Sequence, residues 1–392
     1  MRRFRKFTVV LLAVLGAALC VAVAYTRAAV PPIDVDRSAA DVATDRTGGR
    51  TGVADTDAAA TERWRTALPV NVVGLPEADA NGVVVTAGES EVVALTNHGA
   101  LLWTTAVAGA LVNAPRLDGD LVLVAAKRAV VALRRDSGEV VWSVPTAIDG
   151  AEDNRANRPT VSGDVVVATT ASGRAFGLER TTGAPRWTVD LPTAVTSEPA
   201  AGGGVAVVVG VAEWWALDAA SGAALWGGDL GAFGTSSPVV YDDAGRTLVA
   251  VASNERVTAS DVRTGELVWT SAAEQSEFYQ VPVVTPTHEL LVPDHWGRMT
   301  AYDAHDGRAI WRVRGAESVA EFGTPVVLGP RLVALALDDA GPRIGSPSGS
   351  SALFPPADGH GVAVLADGAL VVTTWGAPVN YVVAYDVKPP NR

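Results

Sequence analysis

Short runs of apolar residues, four to seven long and rich in Val, Ala and Leu, recur along most of the chain, broken by Gly, Asp, Ser and Thr. Runs of that length and composition predict β-strands, and the interruptions predict turns. The sharpest copy is AVVALRRDSGEVVWSV, Ala129 to Val144. It predicts a hairpin with a turn at Asp136-Ser137-Gly138 and a second strand bearing Trp142. The same unit returns as ALTNHGALLW, GLERTTGAPRW, ALDAASGAALW, ASDVRTGELVW and AYDAHDGRAIW. Gly99, Gly138, Gly183, Gly222, Gly265 and Gly307 each precede a Trp by four positions: Trp103, Trp142, Trp187, Trp226, Trp269 and Trp311. Trp64, in ERWRTALP, has the character of the Trp strand but no hairpin before it.

From Trp64 onward the Trp positions are separated by 39, 39, 45, 39, 43 and 42 residues. Each interval holds four short strands. Two precede the hairpin, as in Leu121 to Ala125 or Val205 to Val209, and a Pro often opens the first: Pro115, Pro159, Pro199, Pro238, Pro282 and Pro325. Proline suits strand starts and edges. Four antiparallel strands repeating near every 40 residues predict an all-β fold, a β-propeller. After Trp311 the pattern fades. RLVALAL (Arg331 to Leu337) reads as a strand, Asp338 to Ser348 as an inserted loop, and Gly349 with Leu353 as a degenerate Gly–Trp pair. Ala384-Tyr385-Asp386 matches Ala301-Tyr302-Asp303, a third strand whose fourth is missing at the C-terminus. The strand Thr61–Leu68 is expected to supply it and close the ring. That count gives eight four-stranded blades; if residues 324–353 are an insertion, it gives seven.

The N-terminus departs from this pattern. Arg2, Arg3, Arg5 and Lys6 precede an uncharged apolar run from Thr8 to Tyr25, long enough to span a bilayer. Residues 1–26 read as a signal anchor, or as a signal peptide cleaved after Ala22-Val23-Ala24. Either way the positive flank stays in the cytoplasm and the rest lies outside it. The expectation is a single-pass cell-membrane protein with its propeller on the extracytoplasmic side, or a secreted protein if the signal is cleaved. Residues 27–60, rich in Ala, Asp, Thr, Pro and Gly, read as a flexible linker, and residues 61–392 as the propeller.

Composition narrows the chemistry. Beyond residue 27 the chain has 26 basic and 43 acidic residues, which argues against nucleic acid as a partner. The single cysteine, Cys20, lies in the apolar run, so the body has no disulfide and no thiolate metal site. His98, His288, His295, His305 and His360 show no zinc-binding spacing, and no nucleophile elbow or phosphate loop appears. Asp218, Asp261, Asp303 and Asp386 are expected to bond backbone N–H groups in the hairpin turns.

The unit A-x-D-x-x-[ST]-G-x-x-x-W, clearest in ALDAASGAALW, AYDAHDGRAIW and ASDVRTGELVW, resembles the repeat of the PQQ-binding-like, quinoprotein-type β-propellers. The resemblance covers about 330 residues, by the repeat signature of such arrays. It implies a structural role for Trp64, Trp103, Trp142, Trp187, Trp226, Trp269 and Trp311, docking one blade on the next. The family's dehydrogenases carry adjacent cysteines beside the quinone, and this chain has none outside the apolar run. A PQQ-dependent dehydrogenase is therefore disfavoured. No cofactor, no metal and no catalytic residue is expected, and the resemblance points to the family's non-catalytic binding or assembly scaffolds. Partners are then proteins or peptides of the cell envelope, with the chain itself monomeric. Candidate contact residues are aromatics off the repeat position, Trp296 and Trp375, with His295 and Tyr279 beside them; Gln280, Trp214, Trp215 and the polar run Glu152 to Arg155 are secondary.

Overall fold

The computed structural model describes residues 59–68, 75–87, 90–109, 111, 113–146, 155–195, 197–231, 235–273, 281–294, 298–314, 326–329, 332–335, 343–345, 351–353, 359–364, 368–374 and 380–388. These contain strands and no helix, arranged as eight four-stranded antiparallel sheets. Sheet 1 holds Glu77–Asp79, Gly82–Ala87, Glu91–Leu95 and Leu101–Ala106. Sheet 2 holds Arg116–Asp118, Leu121–Ala126, Ala129–Arg134 and Val140–Pro145. Sheet 3 holds Thr160–Ser162, Val165–Thr169, Arg174–Glu179 and Pro185–Asp190; sheet 4 holds Ala200–Gly202, Val205–Val209, Glu213–Asp218 and Ala224–Asp229. Sheet 5 holds Val239–Asp243, Arg246–Ala252, Arg256–Asp261 and Leu267–Ala272; sheet 6 holds Val283–Val284, Glu289–Pro293, Arg298–Asp303 and Ala309–Arg314.

Residues 326–353 form sheet 7 from Val326–Gly329, Leu332–Leu335, Arg343–Gly345 and Ser351–Leu353. Its third strand lies inside the stretch expected to be an inserted loop, Asp338 to Ser348. That strand is three residues long and shows no apolar alternation, so its composition hides it. Sheet 8 takes Gly359–Val364, Leu370–Thr374 and Asn380–Lys388 from the C-terminus and its fourth strand, Ala59–Leu68, from the other end of the folded chain. These two distant strands pair antiparallel from Ala59↔Lys388 to Leu68↔Asn380, with a bulge between Glu62 and Trp64. The expected anchor and residues 27–58 of the expected linker lie outside the described residues, whereas Ala59 and Ala60, expected in the linker, already belong to the closing strand; among the described residues, no helix is long and apolar enough to cross a membrane.

The hydrophobic core is divided into layers between neighbouring sheets. Second strands such as Leu121–Ala126 and Val205–Val209 are buried on both faces, which is why they read as continuous apolar runs rather than alternating ones. Val84, Val92 and Ala94 of sheet 1 pack on Val122, Val124 and Val131 of sheet 2. Leu121 and Leu123 of sheet 2 in turn meet Val166 and Phe176 of sheet 3. The same layering joins sheets 3 and 4, 4 and 5, 5 and 6, and 8 and 1. First strands of neighbouring sheets lie side by side, including those of sheets 8 and 1 and of sheets 7 and 8. The sheets thus pack face to face in sequence order with the first strands innermost, the arrangement of a β-propeller.

Candidate functional site

The repeat motif is consumed by the joints between sheets. In every sheet but sheet 7 the third strand places a small residue opposite the Trp: Ala94↔Trp103, Ala132↔Trp142, Gly177↔Trp187, Ala216↔Trp226, Ala259↔Trp269, Ala301↔Trp311 and Ala384↔Trp64. Past that pair the register slips by one in every case, a bulge that re-aims the indole toward the next sheet. Six indoles then donate Nε1–H to a backbone carbonyl in the following hairpin turn. Trp64 reaches Asn97, Trp103 reaches Arg135, Trp142 reaches Arg180, Trp187 reaches Ala219, Trp226 reaches Val262 and Trp269 reaches Ala304, all at 2.9–3.0 Å. The turn glycine sits flat on the ring. Gly222 has φ 73°, and a Cβ there would stand 2.6 Å from Trp187. Three joints carry a second clamp two residues after the Trp, where Thr66, Thr105 and Ser271 donate Oγ–H to the carbonyls of Gly99, Gly138 and Gly307.

Trp311 breaks this series. Its ring is buried, and its Nε1–H finds no acceptor among the described residues.

At the centre, four charged side chains meet, from the first strands of sheets 1 and 2 and from the residues just before those of sheets 3 and 4. Each flanks the proline that opens its strand: Glu77 follows Pro76, Arg116 follows Pro115, Arg158 precedes Pro159 and Glu198 precedes Pro199. Arg158 pairs with Glu77 and lies 3.6 Å from Glu198. Arg116 lies 3.9 Å from Glu77 and 3.8 Å from Glu198. The guanidiniums also exchange donors with each other's strand: Arg158 donates to Pro115 O at 2.8 and 3.0 Å, and Arg116 to Pro159 O at 3.3 Å. A prolyl carbonyl is free to accept because it lies outside any strand ladder. Burial pushes both guanidiniums below their usual range, and Glu198 opposes the shift. The quartet balances two positive against two negative charges, and Glu77 also accepts the amide of Leu117 at 2.5 Å. Neutral donors extend the belt: Asn113 to Ala156 O, Asn157 to Val195 O, and the Glu198 amide to Ser237 Oγ.

The face carrying the hairpin turns is tied by further ion pairs. Arg135, almost wholly buried, reaches back to Asp79 at 2.9 Å. Arg180 pairs with Asp118 and, at 2.8 Å, with Asp120. His305 Nδ1 lies 2.7 Å from Asp243 Oδ2, and that carboxylate raises the imidazole pKa above its ordinary value. Of the repeat aspartates, Asp218 accepts the Ser221 hydroxyl and amide, Asp261 the amides of Arg263 and Thr264, and Asp303 the amide of His305. The Ser221 hydroxyl is the main cause holding Asp218 below the usual carboxylate range. Asp386 differs: its carboxylate takes Arg63 of the closing strand.

Tyr279, Gln280, His295, Trp296, Trp375 and the run 152–154 lie outside the described residues. Trp214 packs edge-to-face on Trp226 at 4.9 Å, inside the joint between sheets 4 and 5. Sequence reasoning missed the central quartet. Its one signal is a charged residue beside Pro115, Pro159 and Pro199, and beside Pro76, which the recurring set from Pro115 to Pro325 does not include.

Fold and joints define the class: a β-propeller of PQQ-like repeats. Residues 49–198 and 177–388 match the profile of the family described as outer membrane protein assembly factor BamB, and the chain belongs to that family. No curated protein matches it. Among solved structures, BamB from Moraxella catarrhalis is similar at 18% identity and TM-score 0.66, over 84% of this chain and 100% of that one. The computationally designed protein Ika8 is similar at 14% identity and TM-score 0.63, over 82% and 98%. The quinohemoprotein alcohol dehydrogenase ADHIIG from Pseudomonas putida HK5 is similar at 14% identity and TM-score 0.66, over 85% and 77%. At these identities the likeness is one of fold.

The quinone that such a fold carries in dehydrogenases does not suit these residues. The guanidiniums of Arg116 and Arg158, the charges that would hold an anionic quinone at the centre, are committed to Glu77, Glu198 and two prolyl carbonyls. The chain has no pair of cysteines to flank the ring. Among the described residues, no three His, Cys, Asp or Glu side chains gather as a metal site.

Proposed function

We propose that this protein is a non-catalytic scaffold of the cell envelope: an eight-bladed propeller, closed by its N-terminal strand, that binds protein or peptide partners through its loops. The observation that carries this reading is the family match to an assembly factor along most of the chain. The internal chemistry supports it, since the motif residues serve inter-sheet packing and the central charges neutralise one another. In this reading residues 1–26 hold the chain in the membrane, residues 27–60 are a spacer, and the monomeric propeller stands on the extracytoplasmic side. The Trp docks fix the angle between blades, so loops from different blades keep a constant spacing. Tyr279, His295, Trp296 and Trp375 are the proposed contacts.

The test is site-specific photo-crosslinking in cells from positions 296 and 375 of the full-length protein. The expected result is discrete adducts with envelope-assembly proteins. A second reading, a quinoprotein-like oxidoreductase, is favoured by the likeness to ADHIIG alone. A thermal shift with PQQ and calcium, together with alcohol-dependent dye reduction and no adducts, overturns the scaffold in its favour. Membrane fractionation and the mass of the mature protein decide between anchor and cleaved signal.

A further inference from the structure

We propose that the outer edges of sheets 1 and 5 are acceptors for an extended, uncharged strand of a partner protein, a surface separate from the loop contacts above. In each sheet the fourth strand lies outermost, and among the described residues it is paired on one side only. An open edge carries a row of N–H and C=O groups ready to pair with another chain, and proteins blunt such edges with charge, proline or shortness. Most edges here are blunted. Sheet 2 ends its edge on Pro145, and sheet 3 carries Pro185, Arg186 and Asp190. Sheet 4 carries Gly227, Gly228 and Asp229, and glycine weakens a strand. Sheet 6 carries Arg312 and Arg314, sheet 8 carries Glu62, Arg63 and Arg65, and the edge strand of sheet 7 is three residues long.

Leu101–Ala106 (LLWTTA) and Leu267–Ala272 (LVWTSA) are different. They carry no charge, no Pro and no Gly, and they share Leu, Trp, Thr and Ala at the same positions. Each starts on an exposed leucine: Leu101 is 61% exposed, with Leu102 beside it at 46%, and Leu267 is 57% exposed. Thr104, Ala106, Thr270 and Ala272 also face solvent. Both strands are held from behind by a double clamp. Trp103 and Thr105 donate to the carbonyls of Arg135 and Gly138, and Trp269 and Ser271 to those of Ala304 and Gly307. A strand already fixed in its extended form loses little entropy when another pairs with it. The occupant follows from the chemistry. The open backbone row calls for an extended chain, the leucines call for apolar side chains against them, and a neutral edge offers a charged segment nothing to pair with. A second copy of this chain is disfavoured, because beyond residue 27 it has 26 basic and 43 acidic residues and copies repel. Sheets 1 and 5 stand four places apart in a series of eight, so the two edges face opposite ways and one ring presents two acceptors.

The test uses the full-length protein and a short fluorescent peptide of alternating Val and Thr, beside the same peptide N-methylated at every second residue. Two unmodified peptides are expected to bind per chain. The N-methylated form is expected to bind about tenfold more weakly, since it lacks the amide donors that pair with the edge. Thr104→Lys or Thr270→Lys adds an edge charge like those of sheets 6 and 8. Either is expected to leave one peptide per chain, and the double variant none. Equal binding of the two peptides, or a stoichiometry unmoved by the lysines, overturns the proposal. So does dimerisation of the peptide-free protein that the lysines abolish, which assigns the edges to a second copy. If a lysine variant fails to fold, the comparison of the two peptides decides alone.

Discussion

The turn glycines and the indoles beneath them form one contact, and each limits the other. At Gly222 the backbone is left-handed and the space above Cα is filled by the Trp187 ring. Gly222→Ala then meets both a conformational penalty and a clash, and we predict a loss of about 2 kcal/mol in urea unfolding. The exposed imidazole of His305 responds chiefly to Asp243, with Asp303 and Asp306 acting in the same direction. Its raised pKa means that the pair stabilises the fold fully below the unfolded imidazole value, near 6.5, and fades as pH rises through the folded value. NMR titration of the His305 ring is expected to give a midpoint above 6.5, and Asp243→Asn to bring it back toward that figure. These contacts are local, and the sequence carries them openly: a Gly–Trp offset of four, a small residue facing the ring, and an Asp opening the turn. Asp386 shows where locality ends, because its partner Arg63 comes from the opposite end of the chain.

Strands and the pairs between them obey less local rules. The Val-rich second strands announce themselves because burial on both faces demands continuous apolar side chains. Arg343–Gly345 does not, since three residues carry too little periodicity to separate a strand from a loop. The quartet of Glu77, Arg116, Arg158 and Glu198 was equally hidden. The recurring prolines mark where each first strand begins, but the pairing is set by the curvature that brings four first strands together. Arg158→Met strands Glu77 and Glu198 in a half-buried site with one cation between them. We predict a loss of about 2–3 kcal/mol in equilibrium unfolding. In the double variant with Glu77→Gln the loss is smaller than the sum of the two single losses, the coupling expected of residues in direct contact. Arg186, whose pairs with Asp164 and Glu179 lie in open solvent, is predicted to be silent in the same measurement when replaced by Gln.

For the molecule as a whole, closure by Ala59–Leu68 makes the first ten described residues indispensable to a sheet formed by the last described ones. Removal of residues 1–68 is predicted to expose the edge of Asn380–Lys388 and the glycine seat of sheet 1, giving a protein that self-associates on size-exclusion chromatography. A synthetic peptide of residues 59–68 added in trans is expected to restore the monomer. Ring closure was readable from the chain because its pieces, a lone Trp strand and a hairpin lacking its partner, were each recognisable by comparison with intact copies. The proposed contacts Tyr279, His295, Trp296 and Trp375 were named only as aromatics and neighbours off the repeat, because recognition loops follow no period, and they lie outside the described residues.

The pairing of Arg63 with Asp386 joins residues 323 positions apart. It also sets an order of events. The closing strand is made before every other described strand, and its partner Asn380–Lys388 after all of them. Until that partner is made, the strand has an unmatched ladder and the ring stays open. Contacts so distant along the chain are slow to form, because the entropy of closing the loop is spent before any bond is gained. The shape of the ring thus becomes final only when the Asn380–Lys388 strand arrives.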